Sequence, residues 1–147
     1  MIKLKVATQK RYDLRVSEDG NQLLIAEGAE EAHGFAMFKQ ATTGEVEVRT
    51  GALQNRRWKQ ENGSITLYDE FNIDFLARIE VRLTLVDTDI TFEDGTPLKF
   101  ANGKIADEKQ FNAWWNQLPF LWARKLHSFC LELNPLWDMT KREQDTE

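Results

Sequence analysis

The chain has 147 residues, 41% hydrophobic and 29% charged, the size and composition of one globular domain around one core, which excludes a chain too polar and too charged to fold. Its 24 acidic and 19 basic residues leave a net charge of -5, so there is no general attraction to a phosphate backbone and no nucleic acid is expected as a partner. The single cysteine, Cys130, allows no internal disulfide and fits a reducing compartment.

Met1-Ile2-Lys3-Leu4-Lys5-Val6 alternates apolar with basic residues, whereas a signal peptide needs a continuous apolar stretch. Nothing downstream approaches the roughly 18 consecutive apolar residues of a membrane span. No membrane partner is expected, and the chain should be cytosolic when made or part of a particle assembled there.

Three acidic or amide residues followed by glycine mark tight turns: Asp19-Gly20, Asn62-Gly63 and Asp94-Gly95. The first predicts a hairpin of Tyr12 to Val16 with Gln22 to Ile25, turning between Ser17 and Asn21. Ala29 to Gln40 is rich in helix formers and predicts a short helix before a stop at Thr42-Thr43-Gly44. Glu45-Val46-Glu47-Val48-Arg49 then alternates like an exposed strand. The second turn joins a run containing Trp58 to Ser64 through Tyr68, a second hairpin. Arg56-Arg57-Trp58-Lys59 is basic and aromatic and could touch a nucleic-acid base, but the adjacent Glu61 favours an exposed hairpin arm.

Ile79 to Leu85 places an apolar residue at every second position, the pattern of a strand with one buried and one wet face. It predicts a third hairpin, running through Val86 and Ile90-Thr91-Phe92, turning at Glu93 to Thr96 and returning along Pro97 to Phe100, where proline restricts the arm to a short or edge strand. From Ala106 the period changes. Phe111, Trp114, Trp115 and Leu118 form one helical stripe behind the N-cap Asp107; Pro119 suits the first turn of a second helix, striped by Trp122, Leu126, Phe129, Cys130 and Leu133 and ended by Asn134-Pro135. The expected fold is α+β: antiparallel hairpins over residues 1–105, a helical hairpin over 106–137 packed on their sheet, all one domain, and a polar tail over 138–147.

Few residues carry chemistry. His127 and Cys130, three apart on one helix, could be drawn as base and nucleophile, but Cys130 belongs to the apolar stripe, where a thiol packs as a small hydrophobe. His33 and His127 are far apart, and no Cys or His cluster has zinc-ligand spacing. Asp87, Asp89, Glu93 and Asp94 could suggest an ion, yet an EF-hand counted from Asp87 would have Phe92 at its glycine and Leu98 at its glutamate, so these residues read as a solvated turn. No cofactor motif and no catalytic set is apparent, and the chain is expected not to be an enzyme.

The densest feature is aromatic. Four of the five tryptophans lie between residues 114 and 137, and Trp114 and Trp115 diverge by about 100° on a helix, more than one small sheet face covers. Phe111, Trp114, Trp115, Trp122 and Trp137 are therefore the expected interface residues, contacting other subunits or copies of the same chain in a homo-oligomer.

Three motifs run from Arg78 to Trp137: the alternating Ile79 to Leu85, the turn Glu93-Asp94-Gly95-Thr96-Pro97-Leu98, and helices containing Leu118-Pro119 and Asn134-Pro135-Leu136-Trp137. Together they resemble small accessory proteins of tailed-bacteriophage structural modules. The resemblance implies a non-enzymatic virion, tail or baseplate component, or a tail-assembly factor, working through protein contacts. It assigns no functional residue. The competing expectations are a small acidic inhibitor presenting the 87–94 carboxylates to a host or defence protein, and an enzyme with His127 or Cys130 exposed in a pocket.

Overall fold

The structure is a computed structural model that describes residues 1–58 and 73–138. It is an α+β fold. The strands Gln9–Val16 (β1), Leu23–Ile25 (β2), Gly34–Lys39 (β3) and Leu85–Thr88 (β4) form one antiparallel sheet in the order β2-β1-β3-β4. Helices Thr43–Trp58 (α1) and Ile73–Thr84 (α2) separate β3 from β4. A small ribbon, Phe100–Ala101 (β5) with Lys104–Ile105 (β6), precedes Glu108–Gln117 (α3) and Phe120–Leu133 (α4), and a 3-10 turn covers Pro135–Trp137.

The even-numbered residues of β1 and β3 face inward. Tyr12, Leu14, Ala36 and Phe38 are buried with Leu126, Phe129 and Cys130 of α4, and the Tyr12 and Phe129 rings stack at 4.0 Å between centroids, worth about 1 kcal/mol beyond the area they bury. On the outer face Arg11 bonds Asp13 and lies over the Phe35 ring at 4.0 Å. Asn134 fastens α4 to the sheet: its Oδ1 accepts from the Ala41 N–H, and its Nδ2 donates to the carbonyls of Lys39 and Cys130.

The first hairpin and the C-terminal helices are where the pattern predicts them. Gly20 sits at φ +78° in the turn; Asp107 caps α3 by accepting from the N–H groups of Lys109 and Gln110, and Pro119 precedes α4. Other expectations fail, for identifiable reasons. Ala29 to Gln40 is not a helix: its second half is β3, paired on both sides, because Ala36 and Phe38 alternate into the core and sheet pairing overrides helix propensity. Glu45 to Arg49 is not a strand but the first part of α1. Thr42 starts this helix instead of stopping the previous one: Thr42 Oγ1 accepts from the Glu45 N–H while Glu45 Oε1 accepts from the Thr42 N–H, a reciprocal cap.

Ile79 to Thr84 is helical, and only Leu85 begins a strand. Leu76, Ala77, Glu80, Val81 and Thr84 are buried, a helical face whose polar members disguise it as a strand's wet side. Glu93 to Gly95 turns as predicted, with Gly95 N–H donating to Phe92 C=O, but no strands flank it; the ribbon forms one step later around Asn102-Gly103, both at positive φ. The expected hairpin at Asn62-Gly63 lies outside the described residues, and Arg56, Arg57 and Trp58 end α1 instead of forming a strand. Residues 1–105 thus contain two helices as well as the sheet. Of the 138–147 tail only Asp138 lies within the described residues.

Candidate functional site

The tryptophans expected at an interface are largely used inside the chain. Phe111 and Trp114 are 0% and 1% exposed and Trp137 8%, which corrects their assignment as interface anchors: they belong to the buried core. Trp114 Nε1 donates to the Ile90 carbonyl, and Trp122 Nε1 donates to the Gly20 carbonyl, tying the helical hairpin to two loops. Trp115 and Trp122 are half-buried. Exposed apolar side chains include instead Phe120 and Leu121 in the first turn of α4, 58% and 47% exposed, with Leu136, Ile25, Val46, Val48 and several residues of the first six.

Beside Phe120 is a groove of about 320 Å³ between α2 and the α3–α4 hairpin. Ala77, Trp115, Phe120, Ala123 and Leu131 give it apolar walls, while Asp74, Arg124 and His127 supply polar groups.

Behind the groove lies a charge cluster that strand periodicity concealed. Glu80, on α2, is 2% exposed. Its Oε2 accepts from Arg49 Nε of α1 at 2.6 Å, and its Oε1 lies 2.6 Å from His127 Nε2 of α4. A carboxylate only accepts, so His127 presents an Nε2–H to it. The Arg49 guanidinium also lies 5.1 Å over the Trp137 ring, a cation–π contact that gives this tryptophan an internal role. Three helices are thereby joined at one buried carboxylate. Its loss would strand two donors, which makes the cluster a determinant of how the helices seat. A Glu at i+4 from Leu76 and i-4 from Thr84 was the available signal, readable only once α2 is taken as a helix.

Cys130 is not paired with His127. It is fully buried next to Thr84, whose hydroxyl donates to the Glu80 carbonyl at 2.8 Å and lies 3.2 Å from Sγ. Burial pushes the thiol up to about 12; the Thr84 contact and the Arg49 charge only partly oppose this, and the Glu80 charge adds to it. Ser128 Oγ is engaged with the Lys125 carbonyl. His127 therefore has an orienting carboxylate, but neither Ser128 nor Cys130 is hydrogen-bonded to it, so the arrangement lacks the nucleophile–base contact of covalent catalysis.

The acidic residues around the third turn serve the backbone. Asp89 Oδ1 accepts from the Phe35 N–H, Asp87 Oδ1 from Thr88 N–H, and Asp94 Oδ1 from Thr96 N–H; the last bond holds the Asp94 carboxyl below its usual range. Among the described residues no group of three or more His, Cys, Asp or Glu could hold a metal ion, and no helix is long and apolar enough to cross a membrane. The chain matches no family model, no curated protein and no solved structure.

Proposed function

We propose that this chain is a non-enzymatic assembly or structural protein, of the kind found in phage particles, that acts through contacts with other protein subunits. The observation that carries this reading is the apolar groove between α2 and α4 continuing into exposed Phe120 and Leu121. Bulky apolar side chains beside a shaped, mostly apolar depression suit burial against a second protein surface. The phage assignment rests on the resemblance, now carried by the Glu93 to Leu98 turn and the two helix-end motifs, since Ile79 to Thr84 is helical. The acidic-inhibitor alternative is less favoured: Asp87, Asp89 and Asp94 each commit a carboxylate oxygen to a backbone N–H of this chain, those of Thr88, Phe35 and Thr96, leaving less capacity to mimic a phosphate array.

Static light scattering across a concentration series tests the proposal. The chain should have a mass above one copy, or gain mass on mixing with a particle subunit. Replacing Phe120 and Leu121 by Asp should reduce that mass while circular dichroism stays unchanged. A folded double variant that assembles as well as the parent would refute the groove as the contact.

A further inference from the structure

We infer that the groove between α2 and α4 seats an amphipathic α-helix of a partner protein, one with apolar residues three and four apart and an acidic residue among them to meet Arg124; this rests on the assembly reading and names the kind of partner for its contact surface. The groove follows the period of a helix. Phe120, Ala123, Arg124, His127, Ser128 and Leu131 line it at i, i+3, i+4, i+7, i+8 and i+11, one stripe along α4 of about 16 Å. This stripe is separate from the one formed by Leu126, Phe129 and Cys130, which is buried in the core. Asp74 and Ala77, three apart on α2, and Trp115 of α3 complete the lining. The short side chains of Ala77 and Ala123 leave the depression between the larger Trp115 and Phe120.

The backbone of the occupant decides its form. Every lining residue lies on a helix, and the N–H and C=O groups along α2 and α4 are spent on internal bonds. An extended segment laid in the groove would find no strand edge, and its peptide groups would face apolar walls unmet. A helix brings its peptide groups already paired and offers side chains alone. A helix matching the stripe fills about 1,200 Å³, against about 320 Å³ in the groove. It therefore lies along the mouth and sends a row of apolar anchors inward.

Charge sets the sign of the partner. Neither Asp74 nor Arg124 forms an ion pair among the described residues. Asp74 stands in the first turn of α2, where the helix N-terminus favours a carboxylate. Arg124 lies near the start of α4, the end that disfavours a cation, and the first turn of that helix has no acidic residue to offset it. Arg124 is thus the uncompensated charge of the groove, and its planar fork suits a carboxylate.

The walls are in place before a partner arrives. Glu80 Oε1 fixes His127 at 2.6 Å, and the Trp115 ring stacks on Phe111 with centroids 6.0 Å apart. Side chains already ordered add little entropic cost on binding.

The probe is a set of dye-labelled, acetylated and amidated designed peptides of about 15 residues, long enough for a helix to form. Each has leucines at i, i+3, i+7 and i+10 and one glutamate on the same face, at a different turn in each peptide. In fluorescence anisotropy with the full chain, at least one peptide should bind. Ala123→Leu, which fills the groove, and Arg124→Glu should each weaken that binding about tenfold while circular dichroism stays unchanged. A lysine in place of the peptide's glutamate should restore binding to the Arg124→Glu chain. Binding that ignores both substitutions, or no binding by any peptide, overturns this inference; the assembly reading stands if the chain keeps a mass above one copy that the Phe120 and Leu121 substitutions lower. Charge-swapped binding in a chain that gains no mass, alone or with particle subunits, upholds the inference and overturns the assembly reading. A chain that neither binds a peptide nor gains mass overturns both.

Discussion

Replacing Glu80 by Leu tests the most constrained feature of the structure. The substitution removes the carboxylate shared by Arg49 and His127 and leaves both donors facing an apolar side chain. Breaking a buried ion pair from one side costs about 3–5 kcal/mol. Arg49 and His127 side chains keep 13% and 16% exposure, so water reaches them in part and the lower end, about 3 kcal/mol, applies. For a domain of this size, with a urea dependence of about 1.5 kcal/mol per molar, that is a loss of about 2 M in the unfolding midpoint.

Urea titration followed by tryptophan fluorescence reads this directly. Arg49→Met in the same chain should then cost less than it does alone, with a coupling of at least about 1.5 kcal/mol, because it removes a charge that Glu80→Leu has already orphaned. A single-variant loss under about 1 kcal/mol, or strictly additive costs, would mean that the cluster does not hold the helices together.

Further outcomes follow from the same structure. At Gly34 a Cβ would stand 2.5 Å from Asp89 Oδ1, the atom that accepts from the Phe35 N–H, so Gly34→Ala should destabilise by about 1–3 kcal/mol; in an Asp89→Ala background the thermal melt should register a smaller penalty. Burial opposes ionisation of Glu45, but Lys39 Nζ at 2.7 Å and the Thr42 N–H outweigh it and hold the carboxyl below its ordinary 4.5. A depressed carboxyl contributes stability above that value and loses it as pH falls through the folded-state value. Glu45→Gln should therefore cost most near neutral pH, the gap to the parent closing below about pH 4.5 in urea midpoints; a gap constant down to pH 3 would contradict the pairing. Cys130 should resist a thiol reagent at pH 8 in the native chain and react at once in denaturing urea, and fast native labelling would contradict its burial.

The first hairpin and the α3–α4 pair were legible because their determinants are local. Asp19-Gly20 supplies a turn at positive φ, Asp107 caps a helix within three residues, and Pro119 and Asn134-Pro135 bound α4 without help from distant segments. Thr42-x-x-Glu45 was local too, and reading Thr42-Thr43-Gly44 as a stop instead of a start cost α1. Other elements depended on partners remote in sequence. Phe35 to Lys39 becomes a strand because β1 and β4 flank it. Ile79 to Thr84 alternates in sequence, yet Glu80 and Thr84 are buried by the ion pair with Arg49 and the contact with Cys130, so their polarity pointed to the wrong face.

The same distinction governs the candidate site. Local turn and cap signals determined an α+β domain, and the residue count its concentration of tryptophan. Only the tertiary structure decided that Phe111, Trp114 and Trp137 are core, that Phe120 and Leu121 are left outside, and that Glu80 joins three helices. The physical reason is that burial belongs to the assembled surfaces: a side chain's neighbours across the core are set by chain segments tens of residues away, which no local period records.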